Sequence, residues 1–257
     1  MQSLFQNRRV LGAFVGGLLA GGALGFIILA PGESSIVLKN VSEKATIYLD
    51  NTPTDTQKSG DVTLRRIEAG RHTILVATEG SWPWAKTIDV AKGEKVELGV
   101  FAFPVTGVGV PLEVAVESKD SVRKGMTAVP TPEDPLFSED KSTAIWMEED
   151  VIYASWRDRR DDLPAYFCTP ECKTRMMVFT SQVPIRSLAF YGKRNDVLLF
   201  AAEDGIYGLE LDMRGTQNFQ PLYAGGTPIF SVDKEATSIT VYDTDPQHTG
   251  FFKVELP

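Results

Sequence analysis

Histidine and cysteine are nearly missing: the 257 residues hold two of each, His72, His248, Cys168 and Cys172. Imidazole carries most proton transfer near neutral pH, and zinc sites draw on His and Cys, so this inventory predicts no metal and no cofactor. The G-x-S-x-G elbow, the phosphate-cradling and dinucleotide-binding glycine runs and H-E-x-x-H are missing as well, which removes the commonest hydrolase, nucleotide-binding and metalloprotease readings. There is no basic excess either. Beyond residue 30 the chain holds 24 basic and 34 acidic residues, a net charge of −10. Nucleic acids and anionic membrane surfaces need a basic footprint, so neither is an expected partner.

Carboxylates are the remaining candidates for catalysis. Glu148, Glu149 and Asp150 form one cluster and Asp158, Asp161 and Asp162 another. A pair of carboxylates could hydrolyse a glycosidic bond, but both clusters fall in apparent hairpin turns or loops, where acidic residues are ordinary. Asp243 and Asp245 lack the spacing of a calcium loop. Glu210, Asp212 and Arg214 alternate at a strand end and read as a structural ion pair. The expectation is a protein without catalytic residues.

Charge is also missing from residues 10–30, V-L-G-A-F-V-G-G-L-L-A-G-G-A-L-G-F-I-I-L-A. A helix of that length spans about the 30 Å hydrocarbon core of a bilayer. Arg8 and Arg9 precede it and Glu33 follows, which predicts a single-pass anchor with a cytoplasmic amino terminus, residues 1–9, and an extracytoplasmic body. A cleaved signal peptide is the competing reading, although the run is long for one and Ile28 would occupy a position that favours a small residue. Gly12 and Gly16, and Gly17, Gly21 and Gly25, have the spacing that lets two membrane helices pack closely and a homo-oligomer form; the glycine tolerance of membrane helices would also account for them. Nine residues before the run are too few for a cytoplasmic output domain, so a receptor of this kind would signal through a membrane partner.

Outside the cytoplasm Cys168 and Cys172 are free to form a disulfide. Two free thiols or half of a metal site are the alternatives. A bridge here would close a small loop, with modest effect on global stability.

Residues 34–103 alternate with period two. Ala45, Ile47 and Leu49, then Ile74 and Val76, then Val96, Leu98 and Val100 are interleaved with residues of the opposite face. Asp50-Asn51, Ser59-Gly60, Ala69-Gly70, Glu79-Gly80 and Lys92-Gly93 supply turns, which together predict a small antiparallel β-sandwich. The segments A-T-I-Y-L-D, T-P, L-R-R-I-E-A-G-R-H-T-I-L-V-A-T-E-G and W-A-K-T-I-D-V-A-K-G-E resemble the PEGA domain in order and spacing over about sixty residues. Ala69 stands where that family often has a turn proline, and Asn51 where glycine is common. The resemblance implies a non-catalytic surface module outside the cell membrane, and it implies a structural hydrogen bond for His72. Trp82, beside Pro83 in a turn, is the candidate for contact with a ligand such as a sugar ring.

Residues 104–143 are rich in proline and read as a linker or irregular wrap. From 144 to 257 strand signals return in three groups, each strand–turn–strand–turn–strand, repeating every 30 to 40 residues. That period predicts a propeller-like domain; a ring needs at least four blades, so with three it is incomplete, shares blades between chains, or is another sandwich. The second group, R-N-D-V-L-L-F-A-A-E-D-G-I-Y-G-L-E-L-D-M-R-G-T-Q-N-F-Q-P-L-Y, resembles a segment of bacterial membrane proteins in which propeller-like repeats follow a PEGA module. The combined expectation is a mainly β envelope protein that binds or scaffolds, with an envelope protein or cell-wall glycan as partner. The alternative is an accessory or sensor subunit.

Overall fold

The computed structural model describes residues 33–54, 59–105, 107, 109–115, 118–126, 129–159, 162–168, 171–245 and 249–257. The expected membrane anchor, with Gly12, Gly16, Gly17, Gly21 and Gly25, lies outside them. Among the described residues no helix is long and apolar enough to cross a membrane.

Two sheets are built from the first seven strands. β1 (Ser34–Val41), β4 (Gly60–Ile67) and β7 (Lys95–Gly99) form one, in the order β4-β1-β7. β2 (Thr46–Leu49), β3 (Thr52–Pro53), β5 (Gly70–Ala77) and β6 (Trp84–Val90) form the other, in the order β3-β2-β5-β6. Asp50 and Asn51 both take left-handed backbone angles, φ 50° and 64°, which gives the two-residue turn between β2 and β3 the twist a tight hairpin needs. The alternating residues turn inward: Ile36, Leu38, Ile47, Ile74, Val76, Val96 and Leu98 share one buried cluster. The expected pairing was antiparallel throughout, but β7 runs parallel to β1. The chain between them passes through the whole second sheet, and a parallel neighbour requires such a crossover.

The remaining strands form three antiparallel four-stranded sheets. β9 (Leu136–Phe137), β10 (Thr143–Glu148), β11 (Val151–Trp156) and β12 (Arg175–Thr180) make the first. β13 (Ser187–Phe190), β14 (Val197–Ala202), β15 (Gly205–Glu210) and β16 (Phe219–Ala224) make the second, and β17 (Ile229–Val232), β18 (Ser238–Asp243), β19 (Gly250–Glu255) and β8 (Val110–Pro111) the third. Two edge strands therefore come from residues 104–143, which also supply the helix α1 (Lys119–Met126).

The propeller-like expectation does not hold: the described residues form several small sheets and no closed propeller or barrel. The 30-to-40-residue period fixes the meander of each sheet, whereas closure depends on what lies against the sheet faces. V-L-L-F-A-A of β14 is buried along its whole length. Val197, Leu199 and Ala201 face a cluster shared with Trp84, Ile88, Phe101 and Phe103. Leu198, Phe200 and Ala202 face a second cluster with Ile145, Ile152 and Val178. A strand covered on both faces reads as an uninterrupted apolar run. One of those faces is closed by residues of 34–103, so one core runs through both parts of the chain.

Phe103 shows how close this contact is. It is fully buried, its ring meets Tyr191 edge-on at 5.1 Å, and a Cβ added at Gly208 would fall 2.0 Å from its Cε2. Burying such a ring contributes about 1.5–3 kcal/mol.

Candidate functional site

Strand alternation in W-A-K-T-I-D-V places Trp84, Lys86, Ile88 and Val90 on the buried face of β6. Lys86 is therefore carried into the seam between β6 and the end of β15. Its ammonium is fully buried and donates to the carbonyl oxygens of Asp212, at 2.8 Å, and Thr216, at 3.2 Å. Glu210 Oε2 lies 3.1 Å from it and Asp212 Oδ2 3.7 Å. Removing a lysine charge from water is costly, and this site repays it with two carboxylates and two carbonyls.

The surrounding polar groups extend the clasp. Asn218 donates from its backbone and from Nδ2 to Glu210 Oε2, and its Oδ1 accepts the Ala85 N–H at 3.0 Å. Thr216 Oγ1 accepts the Thr87 N–H. Arg214 forks onto Asp212 and donates to the Glu97 carbonyl. Further along, Gln220 Oε1 accepts the Phe103 N–H at 2.9 Å while its Nε2 donates to the Pro83 and Phe101 carbonyls. Among the described residues Glu210 Oε1 has no partner. Burial pushes the Glu210 carboxyl up to about 7, against the opposing pull of Lys86 and Asn218. Of the three alternating residues, Arg214 pairs with Asp212, whereas Glu210 pairs with Lys86, a residue the sequence reading missed. A lysine in phase with Trp84 and Ile88 was the available signal.

Two concave surfaces bear on function, and only the first shares residues, Asp212 and Arg214, with this seam. A cleft of about 590 Å³ runs between β7 and the loops at 193–196 and 212–214. Its charges are already matched: Arg194 with Asp196 at 2.7 Å, Lys95 with Glu97 at 2.6 Å, and Arg214 with Asp212 at 2.8 Å. Tyr166 lines it too, and burial with the nearby carboxylates raises its phenol well above the ordinary range. The second surface is a groove of about 390 Å³ where β9, β13 and β17, the terminal strands of three different sheets, converge. Its walls include Leu136, Phe137, Leu188, Ala189, Phe230 and Val232. Leu136 and Phe137 stay 37% and 45% exposed.

The sequence-chosen residues are scattered. His72 donates from Nδ1 to Asp50 Oδ2 at 2.7 Å and from Nε2 to the Glu68 carbonyl at 2.8 Å. Its pKa is raised chiefly by the Asp50 hydrogen bond, and the Asp50 carboxyl is lowered by the Thr73 N–H and by His72. Trp82 packs half-buried against the core, and its backbone N–H donates to the Phe103 carbonyl at 2.7 Å. It lines neither the cleft nor the groove. Cys168 and Cys172 are joined by a disulfide across a local bridge behind Ala165–Phe167. Glu148 pairs with Arg175, whose guanidinium lies over the Tyr153 and Trp146 rings. His248 and Asp161 lie outside the described residues. No cluster of metal-ligating side chains occurs among the described residues.

No family model matches this chain, and no curated protein matches it. Among solved structures it is similar to a protein of unknown function from Bacteroides fragilis, provisionally called membrane-associated. The two are 10% identical, the match covers 76% of this chain and 100% of the other, and the TM-score is 0.22. A score that low carries no argument about fold or activity.

Proposed function

We propose that the protein is a membrane-tethered, non-catalytic binding or scaffolding module of the cell envelope, its described body on the outer side. The observation that carries this reading is the groove between β9, β13 and β17, where Leu136 and Phe137 present apolar surface inside a concavity. Concave apolar sites with a charged rim are where proteins take partners. The uncharged run at 10–30, basic before and acidic after, supports the tether and its direction. The PEGA-like segments support a surface role.

The test uses the full chain in detergent, with a photo-crosslinking residue in place of Phe137. Crosslinking to an envelope protein, or retention on isolated cell wall that Phe137→Glu abolishes, is the expected result. Natively folded Phe137→Glu protein with unchanged retention and crosslinking at neighbouring positions would sink the proposal. If the crosslinked partner is a membrane subunit with its own cytoplasmic domain, the accessory-subunit reading takes over.

A further inference from the structure

The seam around Lys86 is built for more than adhesion, because its charges are unevenly served. Glu210 is 1% exposed, and its two oxygens have different surroundings. Oε2 takes the Asn218 N–H, the Asn218 Nδ2 and the Lys86 ammonium. Oε1 meets no donor among the described residues. An ionised carboxylate with a bare oxygen in a buried site pays a desolvation cost that the neutral acid largely escapes. Lys86 would not be abandoned if Glu210 were neutral, since Asp212 and the carbonyls of Asp212 and Thr216 remain around it. The charged groups that face Glu210 are Lys86 from β6 and Asp212 from the segment after β15; Arg214 reaches it only through Asp212, and Asn218 and Gln217 are neutral.

We propose that Glu210 is a proton-linked latch, which takes a proton from solvent as the envelope acidifies and so tightens the joint between β6 and the β15–β16 end of the neighbouring sheet. The sign follows from linkage. The folded carboxyl sits near 7 and the unfolded one near 4.5, so between those values the folded form holds a proton that the unfolded form does not. Stability from this group is greatest below the unfolded value and is lost as pH rises through the folded one. The joint is firm in mild acid and loosens toward alkaline pH.

Hydrogen exchange on the full chain in detergent reads this directly. The Ala85 and Thr87 amides bond to Asn218 and Thr216 across the seam. After correction for intrinsic base-catalysed exchange, their protection should fall roughly tenfold between pH 6 and pH 8. Glu210→Gln, in a His72→Asn background that removes the other titrating pair, should flatten that dependence. Should Glu210→Gln fail to fold, the side-chain carboxyl carbon of Glu210 in selectively labelled wild-type protein replaces it, and a midpoint near 7 is expected. A Glu210 midpoint near 4.5, or the full tenfold fall persisting in Glu210→Gln, overturns the latch.

Discussion

Two cations on adjacent strands meet opposite fates. His72 on β5 and Lys86 on β6 lie in one sheet, two register steps apart: His72 pairs with Ile88, and Lys86 with Ile74. Each is matched to carboxylate. His72 sits at the sheet's end beside Asp50, which is 49% exposed, while Lys86 and Glu210 are sealed from solvent. The first pair orders a turn; the second joins two parts of the chain. Burial, rather than the kind of interaction, decides what such a pair can do. An exposed pair adds little because water competes with it, whereas removing one partner of a buried pair leaves the other charge stranded without water.

The sharpest way to break the comparison is Lys86→Ala. It strands Glu210 and Asp212 in the seam without their ammonium, and such removals cost about 3–5 kcal/mol. Urea unfolding should show a large drop in midpoint. Lys86→Met combined with Glu210→Leu removes both charges and should recover most of that loss, as apolar replacements of buried pairs often do. If the double variant is no better than Lys86→Ala, the seam depends on the remaining hydrogen bonds and not on charge.

Gly215→Ala attacks the same seam without touching a charge. Gly215 has φ +65°, and a Cβ there would lie 1.5 Å from the Thr87 carbonyl oxygen. The left-handed backbone and the collision act together, so the cost should reach about 1–3 kcal/mol. Loss of protection at Thr87, measured by hydrogen exchange, would show that the damage is local to the joint.

The half of the molecule that was easiest to read is the half with one buried face. Period-two alternation marks β5, β6 and β7, and Asp50-Asn51 marks the hairpin turn. The same alternation placed Lys86 inward, yet a lysine in a strand is ordinarily taken as solvated. Only its partners, more than 120 positions away in sequence, make it a core residue. The later strands were legible one sheet at a time. Nothing in R-S-L-A-F or V-L-L-F-A-A says that one face of β14 will meet Trp84 and Phe103 rather than a further repeat. The groove was invisible for a related reason. It is walled by strands from three sheets, one of them the two-residue β9 within a proline-rich stretch that reads as a linker.

The smallest expected effect belongs to the exposed pair. His72→Asn should cost at most about 1 kcal/mol, the range for pairs open to solvent. Its value lies in the pH profile. The folded imidazole is raised above its ordinary 6.5 by Asp50, so its contribution is complete below that value and disappears as pH rises through the raised one. Asp50, lowered by Thr73 and His72, contributes only above its ordinary 3.8, losing its share as pH falls further. The pair therefore stabilises between those limits, in mild acid. Thermal midpoints from pH 4 to pH 8 should show a shallow hump that His72→Asn removes. Because Glu210 also favours mild acid, the two variants must be compared: Glu210→Gln should remove the steeper change around pH 7, and His72→Asn the shallower one. Equal effects would mean that the exposed and buried sites are energetically alike, which their difference in burial argues against.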